Sequence, residues 1–439
     1  MLLDFTVENF RSIKGAETLS AVAASKSKSK PSNSESRRRV KSDDEIAQPF
    51  HVEGWDIDVL PVIAIFGANA SGKTNILKAL DYLLKFMGFV DDDYYELEQL
   101  VPFRLTQESI ENPSCFKIRI MINSTIYTYS LTLNRVRILS EKLEYALETT
   151  KRDRLLFSRN WNEINQKFDW ENGSAFARVH KQLQKKLRER ESFINLLFKL
   201  DIEIVNPLVD WIKYSRAGIT WGQTEINTPF FNILFSQEYY LPHRHSDGFD
   251  KTLENTKKFL LKFDTGIHDI KISKEDDNSK YQIYALHKTE DAKILSWKFE
   301  EEFIGTQKLF SLAYKINLMF QLSLLLIVDE LGSNIHPNIT SEIIKLFQSL
   351  KTNPKRTQLI FTTHDNTLQR NNLLRRDQIW FTQKRPDQST ELYSLSDFKV
   401  RNDLAIDKAY LDGRFGAVPF ISDEDEEPIS LKEKDKDNG

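Results

Sequence analysis

Nine consecutive residues near the start of the chain have the types and spacing of a loop that binds phosphate groups. They are Gly67, Ala68, Asn69, Ala70, Ser71, Gly72, Lys73, Thr74 and Asn75. The first eight match the pattern G-x-x-x-x-G-K-[ST], in which glycines let backbone N–H groups and a helix N-terminus face an anion. In such loops the lysine reaches the β- and γ-phosphates and the threonine ligates Mg²⁺. The sequence therefore predicts a nucleotide site with Lys73 on the phosphates and Thr74 on the metal.

A pair of acids follows a long apolar segment in the second half of the chain. The segment "LSLLLIVDE" is apolar except for Ser323 until it reaches Asp329 and Glu330. Ligands of open α/β sheets bind at the carboxyl ends of the strands, where this pair would lie. We predict that Asp329 ligates Mg²⁺ and that Glu330 orients or deprotonates an attacking water. This arrangement indicates hydrolysis rather than transfer of a phosphoryl group to a small molecule.

A histidine follows a third apolar segment, "QLIFTTHD", which also carries its polar residues at the end. His364 has two interpretations, a sensor of the γ-phosphate or a structural side chain. The phosphate loop and the acid pair precede it in the same chain, and this order favours the sensor.

The elements that must position these residues are visible in the hydrophobic pattern. A continuous apolar run, "VLPVIAIFG", predicts a buried strand that ends at Gly67, and apolar residues recur at helical spacing over Asn75–Met87. Alternation predicts a strand in "LLDFTVENF" and two strands in "CFKIRIMINSTIYTYSLTLN", with a turn at Asn123–Ser124. Strand patterns resume after residue 280. The fold class predicted is α/β, a P-loop NTPase head with a mixed central sheet, flanking antiparallel strands and a helical insertion.

The chain divides into four parts by composition. We predict an N-terminal half of the ATPase head at 1–135, a mainly helical insertion subdomain at 136–280, a C-terminal half at 281–400, and an extension with an acidic, disordered tail at 401–439. The first part contains a basic insertion at 24–45, and a second basic segment spans 180–190. Each is either a solvated surface or a contact for nucleic acid or an acidic partner.

Composition excludes several classes of protein. The 439 residues carry a net charge of only −3, which gives no global signature of nucleic-acid binding. The single cysteine, Cys115, excludes an internal disulfide and a cysteine-based zinc site and fits a reducing compartment. Acidic and basic residues interrupt the N-terminus, and the apolar stretch Ile316–Val328 is shorter than the roughly 18 residues of a membrane span. We expect a soluble, cytoplasmic protein without a membrane partner.

The order of these motifs resembles a family of ATPases. The segments are "FTVENFRSI", the phosphate loop, a helical insertion, "GTQKLFSL", "VDELGSNIHP" and "IFTTHD". They are similar to the ABC-type heads of the SMC and RecF group. They are more similar to the overcoming-lysogenization-defect and RloA-like ATPases of bacterial abortive infection and phage defence. The resemblance covers Met1–Phe398, and "FINLLFKLDIEIVNPLVDWI" and "YLDGRFGAVPFI" also look like the RloA-like branch.

The resemblance implies a homodimer, or a higher homo-oligomer, that forms head to head over ATP and Mg²⁺. Each nucleotide would lie between the phosphate loop of one subunit, with Arg11 beside it, and the signature residues Gly305 and Thr306 of the other. Two positions depart from the family pattern, because Phe303 replaces a serine and Gly332 replaces an aspartate. Both changes remove polar groups from the subunit seam, so we expect hydrolysis that is slow or waits for a trigger.

Three functions compete at this stage. The first is a defence ATPase that senses a nucleic acid or phage protein and controls a separate effector, which the family suggests is an RloB-like or Toprim-like nuclease. The second is a RecF- or SMC-like DNA-binding ATPase of repair or maintenance. The third, a self-sufficient nuclease, is the weakest. It needs a Toprim domain with a glutamate and a D-x-D pair, and only about forty residues follow Phe398. We therefore expect no nuclease activity of the chain itself.

Overall fold

The computed structural model describes residues 1–24, 48–88, 97–174, 183–184, 187, 189–199, 205–220, 246–263, 266–274, 281–370, 373–401 and 404–419. The predicted basic insertion beyond Ala24, most of the basic segment 180–190 and the acidic tail lie outside the described residues. Within the described ranges, no helix is both long enough and apolar enough to cross a membrane.

The strands fall into four sheets. In chain order they are β1 Leu2–Glu8, β2 Glu17–Ser20, β3 Phe50–Val52, β4 Ile57–Val59, β5 Val62–Gly67, β6 Ser114–Ile122, β7 Thr125–Leu133, β8 Ile138–Leu147, β9 Asp153–Asn162, β10 Lys167–Asn172, β11 Ile219–Thr220, β12 Asp269–Lys274, β13 Tyr281–Lys288, β14 Ile294–Lys298, β15 Leu325–Val328, β16 Gln358–Thr362, β17 Ile379–Lys384 and β18 Thr390–Ser394. The largest sheet is antiparallel, and a six-stranded sheet contains the strands that precede the phosphate loop, the acid pair and His364.

The described α-helices contain fewer residues in total than the described strands. They are α1 Lys73–Met87, α2 Gln107–Glu111, α3 Phe193–Lys199, α4 Asn206–Ala217, α5 Ser246–Leu261, α6 Ile304–Leu322, α7 Pro337–Gln348 and α8 Ile406–Leu411. The first of these, α1, begins at the phosphate loop and packs against β5, β1, α3 and α4. Its buried face is apolar, including Ile76, Leu77, Leu80, Leu83 and Leu84. The apolar residues whose helical spacing is predicted over Asn75–Met87 therefore form the face that packs α1 into the core.

The six-stranded sheet brings the three motif strands side by side. Its order is β11-β15-β16-β5-β17-β18, with every pair parallel except β17 and β18. The motif strands β15, β16 and β5 are buried along their whole length, as a parallel sheet covered on both faces requires. Because these strands run in one direction, the polar residues that follow each of them meet at one edge of the sheet.

The seven-stranded antiparallel sheet has the order β10-β9-β8-β7-β6-β1-β2. The hairpin predicted at Asn123–Ser124 is confirmed, since both residues have positive φ and join β6 to β7. The prediction of a mainly helical subdomain over 136–280 is wrong at its start, because β8, β9 and β10 extend this sheet. Residues such as those in "SEKLEYAL" favour helix locally, but pairing with β7 decides their conformation. The architecture is the predicted α/β fold with a mixed central sheet and flanking antiparallel strands.

A buried ion pair joins the antiparallel sheet to the helices that follow it. Glu141 on β8 and Arg159 on β9 are both fully buried, with Arg159 Nη2 at 2.6 Å from Glu141 Oε2. The same carboxylate accepts hydrogen bonds from Tyr129 Oη, Ser192 Oγ and the backbone N–H groups of Phe193 and Ile194. The Glu141 carboxylate therefore accepts hydrogen bonds from the antiparallel sheet and from the start of α3, and it holds the start of α3 against the sheet.

A buried lysine joins helix α6 to the strand beside the acid pair. Lys315 is 5% exposed, and its Nζ donates hydrogen bonds to Ile219 O at 3.1 Å and Thr220 Oγ1 at 2.8 Å. The carbonyl of Thr220 in turn accepts the N–H of Asp329 at 2.8 Å. Burial lowers the pKa of Lys315 to about 8. The position of α6 and the position of Asp329 are thus connected through one edge strand.

We expect the stability contributed at Lys315 to rise with pH. In the unfolded chain the pKa of a lysine is 10.5, so between about pH 8 and 10.5 the unfolded state binds more protons than the folded state. The free energy of unfolding of the wild type, relative to Lys315→Met, should therefore increase over this window. The slope should be at most about 1.4 kcal/mol per pH unit. Urea unfolding of both proteins at pH 7.5, 8.5 and 9.5 measures it, with Lys345→Met at an exposed position as control. If the free energy of unfolding of the wild type relative to Lys315→Met falls as the pH rises, the lowered pKa of Lys315 is contradicted.

Candidate nucleotide site

The phosphate loop connects β5 to α1, and its glycines are required by the backbone. Gly72 has φ +110°, and a Cβ at this position would overlap with the side chain of Thr390. Gly67 has φ +154°, and a Cβ there would meet the carbonyl oxygen of Thr382. Only glycine adopts these conformations with neighbours so close. The loop is therefore held in its curved shape by the two strands, β17 and β18, that flank it.

Lys73 is the first residue of α1 and is 5% exposed. Its Nζ donates hydrogen bonds to Gly67 O at 2.8 Å and to Ala68 O at 2.9 Å, which keeps the ammonium group over the loop. Burial lowers the pKa of Lys73 to about 8, while the nearby carboxylates of Asp329 and Glu330 act in the opposite direction. A phosphate that enters the loop would add a negatively charged hydrogen-bond acceptor to the two carbonyl oxygens that the Lys73 ammonium group already contacts.

The predicted metal ligands lie in direct contact although 255 residues separate them in sequence. Thr74 Oγ1 donates to both oxygens of Asp329, at 3.0 Å and 3.1 Å. A hydroxyl and a carboxylate beside a phosphate loop are the hard oxygen ligands that Mg²⁺ prefers when phosphate oxygens complete its shell. The residues present therefore fit the predicted Mg²⁺ ion.

Glu330 follows Asp329 and is exposed, with a backbone φ of +58°. Its N–H donates to Thr362 Oγ1 at 2.8 Å. A residue other than glycine in the left-handed region is uncommon and persists where the surroundings determine it. The turn points the Glu330 side chain into solvent, where an attacking water could be bound, while Asp329 stays 8% exposed beside Thr74.

His364 follows β16, the strand between the acid-pair strand and the phosphate-loop strand. Its side chain is exposed. Partial desolvation by the surrounding loop, and then the charge of Lys73, lower the pKa of His364 below its ordinary value, with Glu330 and Asp329 acting in the opposite direction. A neutral imidazole beside Lys73 can accept a hydrogen bond with one nitrogen and donate with the other. His364 therefore lies close enough to Lys73, Glu330 and Asp329 for their charges to act on its ring.

Other loop residues differ in exposure. Asn69 and Ala70 are exposed, and Ala70 has φ +59°. Ser71 is buried, and its Oγ forms a 2.7 Å hydrogen bond with Thr382 Oγ1. Asn69 is therefore free to meet a ligand, whereas Ser71 fixes the loop to β17.

Ser12, the residue after Arg11, contacts the elements beside the phosphate loop. Asn75 Nδ2 donates to Ser12 Oγ at 2.7 Å, and the same hydroxyl forms a 2.7 Å hydrogen bond with Thr390 Oγ1. Arg11 has φ +52°, and burial and the neighbouring Arg104 lower the pKa of its guanidinium. The turn between β1 and β2, the start of α1 and β18 are thus joined beside the phosphate loop.

The signature residues lie at the start of α6, and no described contact joins them to the phosphate loop. Phe303 and Ile304 are 85% and 62% exposed, whereas Thr306 is buried. Gly305 packs so closely on the loop after the acid pair that a Cβ would lie 2.7 Å from Asn334 O. Gly332 in that loop has φ +95°, a conformation that the aspartate of the family pattern would adopt only with strain.

A cavity of about 690 Å³ adjoins the phosphate loop, and the C-terminal extension forms one wall. Its lining includes Ala68, Asn69 and Ser71 of the loop, and Leu411, Asp412, Gly413, Gly416, Ala417, Val418 and Pro419 of the C-terminal extension. Tyr393 Oη donates to Phe415 O at 2.6 Å, which ties this segment to β18. The part of the motif "YLDGRFGAVPFI" that the structure describes thus supplies residues to the wall beside the phosphate loop.

Sequence reasoning missed four hydroxyl residues of this site, which are Ser12, Thr362, Thr382 and Thr390. Each makes a hydrogen bond to the loop, to α1 or to the acid pair. Single serines and threonines have no pattern that separates them from surface residues. The adjacent pair Thr362 and Thr363, directly before His364, is the only one of these features that forms a pattern in the sequence.

Comparison with known proteins gives one family and a set of distant structures. Residues 62–370, more than half of the chain, match the family model described as AAA domain, putative AbiEii toxin, Type IV TA system. No curated protein matches the chain. Two solved structures are the SMC head domain from Thermotoga maritima and an SMC head with an extended coiled coil bound to the C-terminal domain of ScpA, derived from Pyrococcus furiosus. They are 12% and 13% identical, cover 90% and 94% of this chain and 98% of each of their own, and have TM-scores of 0.39 and 0.38.

Proposed function

The chain belongs to the AAA-domain family described as putative AbiEii toxins of type IV toxin–antitoxin systems, and from this premise we propose a defence function. We propose that it binds and slowly hydrolyses ATP with Mg²⁺. The nucleotide state then regulates a separate toxic effector during abortive infection by phage, in the cytoplasm. An effector of the RloB-like or Toprim nuclease type fits this proposal, with a nucleic acid or a phage protein as trigger.

One observation carries the proposal. Thr74 of the phosphate loop contacts both oxygens of Asp329, and Glu330 follows Asp329 on a turn that exposes its carboxylate. Lys73 and Thr74 supply the phosphate and metal contacts, and Glu330 supplies a base on the side of the metal. When bound, Mg²⁺ would neutralise charge on the phosphates, while the chain's own residues orient the nucleotide and the water. This combination supports ATP hydrolysis as the reaction.

Slow turnover is proposed from the residues at the start of α6. Phe303 offers no hydrogen bond to a γ-phosphate, and its exposed ring, with the exposed aliphatic side chain of its neighbour Ile304, gives an apolar surface at this helix end. If two heads close over ATP, apolar contact would contribute more to closure and one donor to the transition state would be absent. Loss of one such donor typically slows a reaction by roughly 10²–10³-fold.

We therefore expect Phe303→Ser to raise the rate of ATP hydrolysis and to weaken the ATP-dependent dimer. Turnover and oligomer size, measured side by side in the wild type and the variant, test the proposed function. Ile164→Ser removes an equally exposed apolar side chain, 93% exposed, from the hairpin between β9 and β10 and serves as the matched control. Brisk wild-type turnover that Phe303→Ser leaves unchanged would mean that α6 does not face a nucleotide.

The same preparation distinguishes the competing functions. We expect no cleavage of DNA or RNA by the purified chain with Mg²⁺ and ATP, because the proposal assigns toxicity to a separate effector. Reproducible cleavage that is lost in Lys73→Ala would favour the nuclease. A DNA-binding ATPase of the RecF or SMC type is the second candidate, favoured by the seven lysines and arginines between residues 26 and 41. Salt-dependent binding of duplex DNA that ATP strengthens would support it.

A further inference from the structure

Thr362, the last residue of β16, is fully buried beside the acid pair. Its Oγ1 donates a hydrogen bond to Asp329 Oδ1 at 2.6 Å and accepts one from the N–H of Glu330 at 2.8 Å. One hydroxyl group therefore contacts both the predicted metal ligand and the residue that carries the predicted base.

The backbone of Thr362 adds a third contact. Its carbonyl oxygen accepts the N–H of Leu331 at 2.9 Å, so one residue holds three consecutive residues of the turn after β15. Glu330 lies in the middle of that turn at φ +58°. A non-glycine residue in this conformation is strained and persists only where its neighbours determine it. Thr362 supplies the contacts on both sides of the strained residue.

The two bonds of the hydroxyl have different consequences. The bond to Asp329 Oδ1 fixes the plane of the carboxylate, which Thr74 Oγ1 also contacts at both oxygens. The bond from the N–H of Glu330 fixes the direction in which that side chain leaves the turn. Among residues of this size only serine and threonine donate and accept through a single hydroxyl group. Valine has the same shape but makes neither bond.

We propose that Thr362 is a positioning residue for ATP hydrolysis, setting the carboxylate of Asp329 toward Mg²⁺ and the carboxylate of Glu330 toward the attacking water. It acts through these two residues and touches neither nucleotide nor metal. The inference rests on the proposed ATPase function. It adds that the strand of the γ-phosphate sensor fixes the geometry of the acid pair, since His364 follows Thr362 by two residues.

The test compares Thr362→Val and Thr362→Ser with the wild type. Removal of a group that orients a metal ligand typically costs roughly 10–100-fold in metal affinity or activity. We expect Thr362→Val to lower kcat by this factor and to raise the Mg²⁺ concentration that gives half-maximal turnover. ATP affinity measured in EDTA should stay at the wild-type value, and Thr362→Ser should recover most of the activity.

Thr357→Val is the matched control. Thr357 precedes the same strand at its opposite end, is also fully buried, and donates its hydroxyl to Met319 O at 3.1 Å. A purely structural role for Thr362 predicts that both valine variants lose melting temperature while the Mg²⁺ dependence stays unchanged, and that result would overturn the proposal. So would Thr362→Val with wild-type kcat, or Thr362→Ser as impaired as Thr362→Val. If Thr362→Val does not fold, Thr362→Ala gives the same readouts without either γ-methyl group of valine.

The wild type separates this inference from the proposed function. A wild type that binds no ATP overturns the proposed function, and the inference with it. A wild type that hydrolyses ATP, beside a Thr362→Val variant that is unaffected, overturns only the role of Thr362. A wild type that binds Mg²⁺–ATP without hydrolysing it contradicts the proposed hydrolysis, and the Mg²⁺ dependence of nucleotide affinity then decides whether Thr362 positions Asp329.

Discussion

Lys73→Ala should abolish ATP binding while the fold is kept. The ammonium group lies over the loop, bonded to Gly67 O and Ala68 O, and it is the cation that the phosphates would meet. Each hydrogen bond to a charged group is worth about 1.5–3 kcal/mol, and two phosphate contacts would be lost. We therefore expect the Kd for ATP to rise roughly a hundredfold or more. Calorimetry with ATP and Mg²⁺ measures the change.

The proposed function further predicts that defence against phage is lost in the same variant, because a separate effector would no longer receive a nucleotide-dependent signal. Lys78→Ala, five residues further along α1, is the matched control for loss of a lysine from this helix. Circular dichroism and a melting curve verify that both variants are folded. An unchanged ATP affinity in Lys73→Ala would refute the assignment of the phosphate loop.

Glu330→Gln should bind ATP normally and hydrolyse it far more slowly. The amide has the shape of the carboxylate but cannot take a proton from water, and general-base catalysis contributes about 10²–10⁴-fold in rate. The contacts that hold the turn use the backbone N–H of Glu330 and the side chain of Asp329, so the substitution leaves them in place. Single-turnover hydrolysis, measured together with ATP affinity, separates the loss of chemistry from a loss of binding.

Two further variants serve as comparisons for Glu330→Gln. Asp329→Asn should lose Mg²⁺-dependent binding as well as turnover, because it changes the residue that contacts Thr74. Glu342→Gln removes an exposed carboxylate from α7 and should behave as the wild type. A Glu330→Gln variant with wild-type turnover would show that another group activates the water.

The nucleotide site was predictable where its chemistry is contiguous in sequence. The phosphate loop is one uninterrupted motif between a buried strand and an amphipathic helix, and α1 begins at Lys73 within it. Asp329, Glu330 and His364 each follow an apolar strand directly, and strand direction is enough to place such residues at one edge of a parallel sheet. The roles given to these residues, and those of Arg11, Gly305 and Thr306, remain predictions that the variants test.

The sequence was misleading where local preference and tertiary pairing disagree. Residues of "SEKLEYAL" favour helix as isolated residues, yet Glu141 and Leu143 face the core of a sheet and the stretch forms β8. The buried partner of Glu141 is Arg159, on the neighbouring strand. Burial and cross-strand pairing outweigh helix propensities that differ by less than about 1 kcal/mol per residue. The start of the predicted helical subdomain was therefore wrong.

Amino-acid order alone determined which groups carry charge and which strands they follow, because the hydrophobic period and the glycine spacing are local properties. Tertiary structure alone decided how those groups are held. Thr362 meets Asp329 across 33 residues, and Ser71 meets Thr382 across 311. The role of a hydroxyl group depends on the hydrogen-bond partner that the fold brings within about 3 Å. That partner cannot be predicted from the position of a single threonine in the sequence.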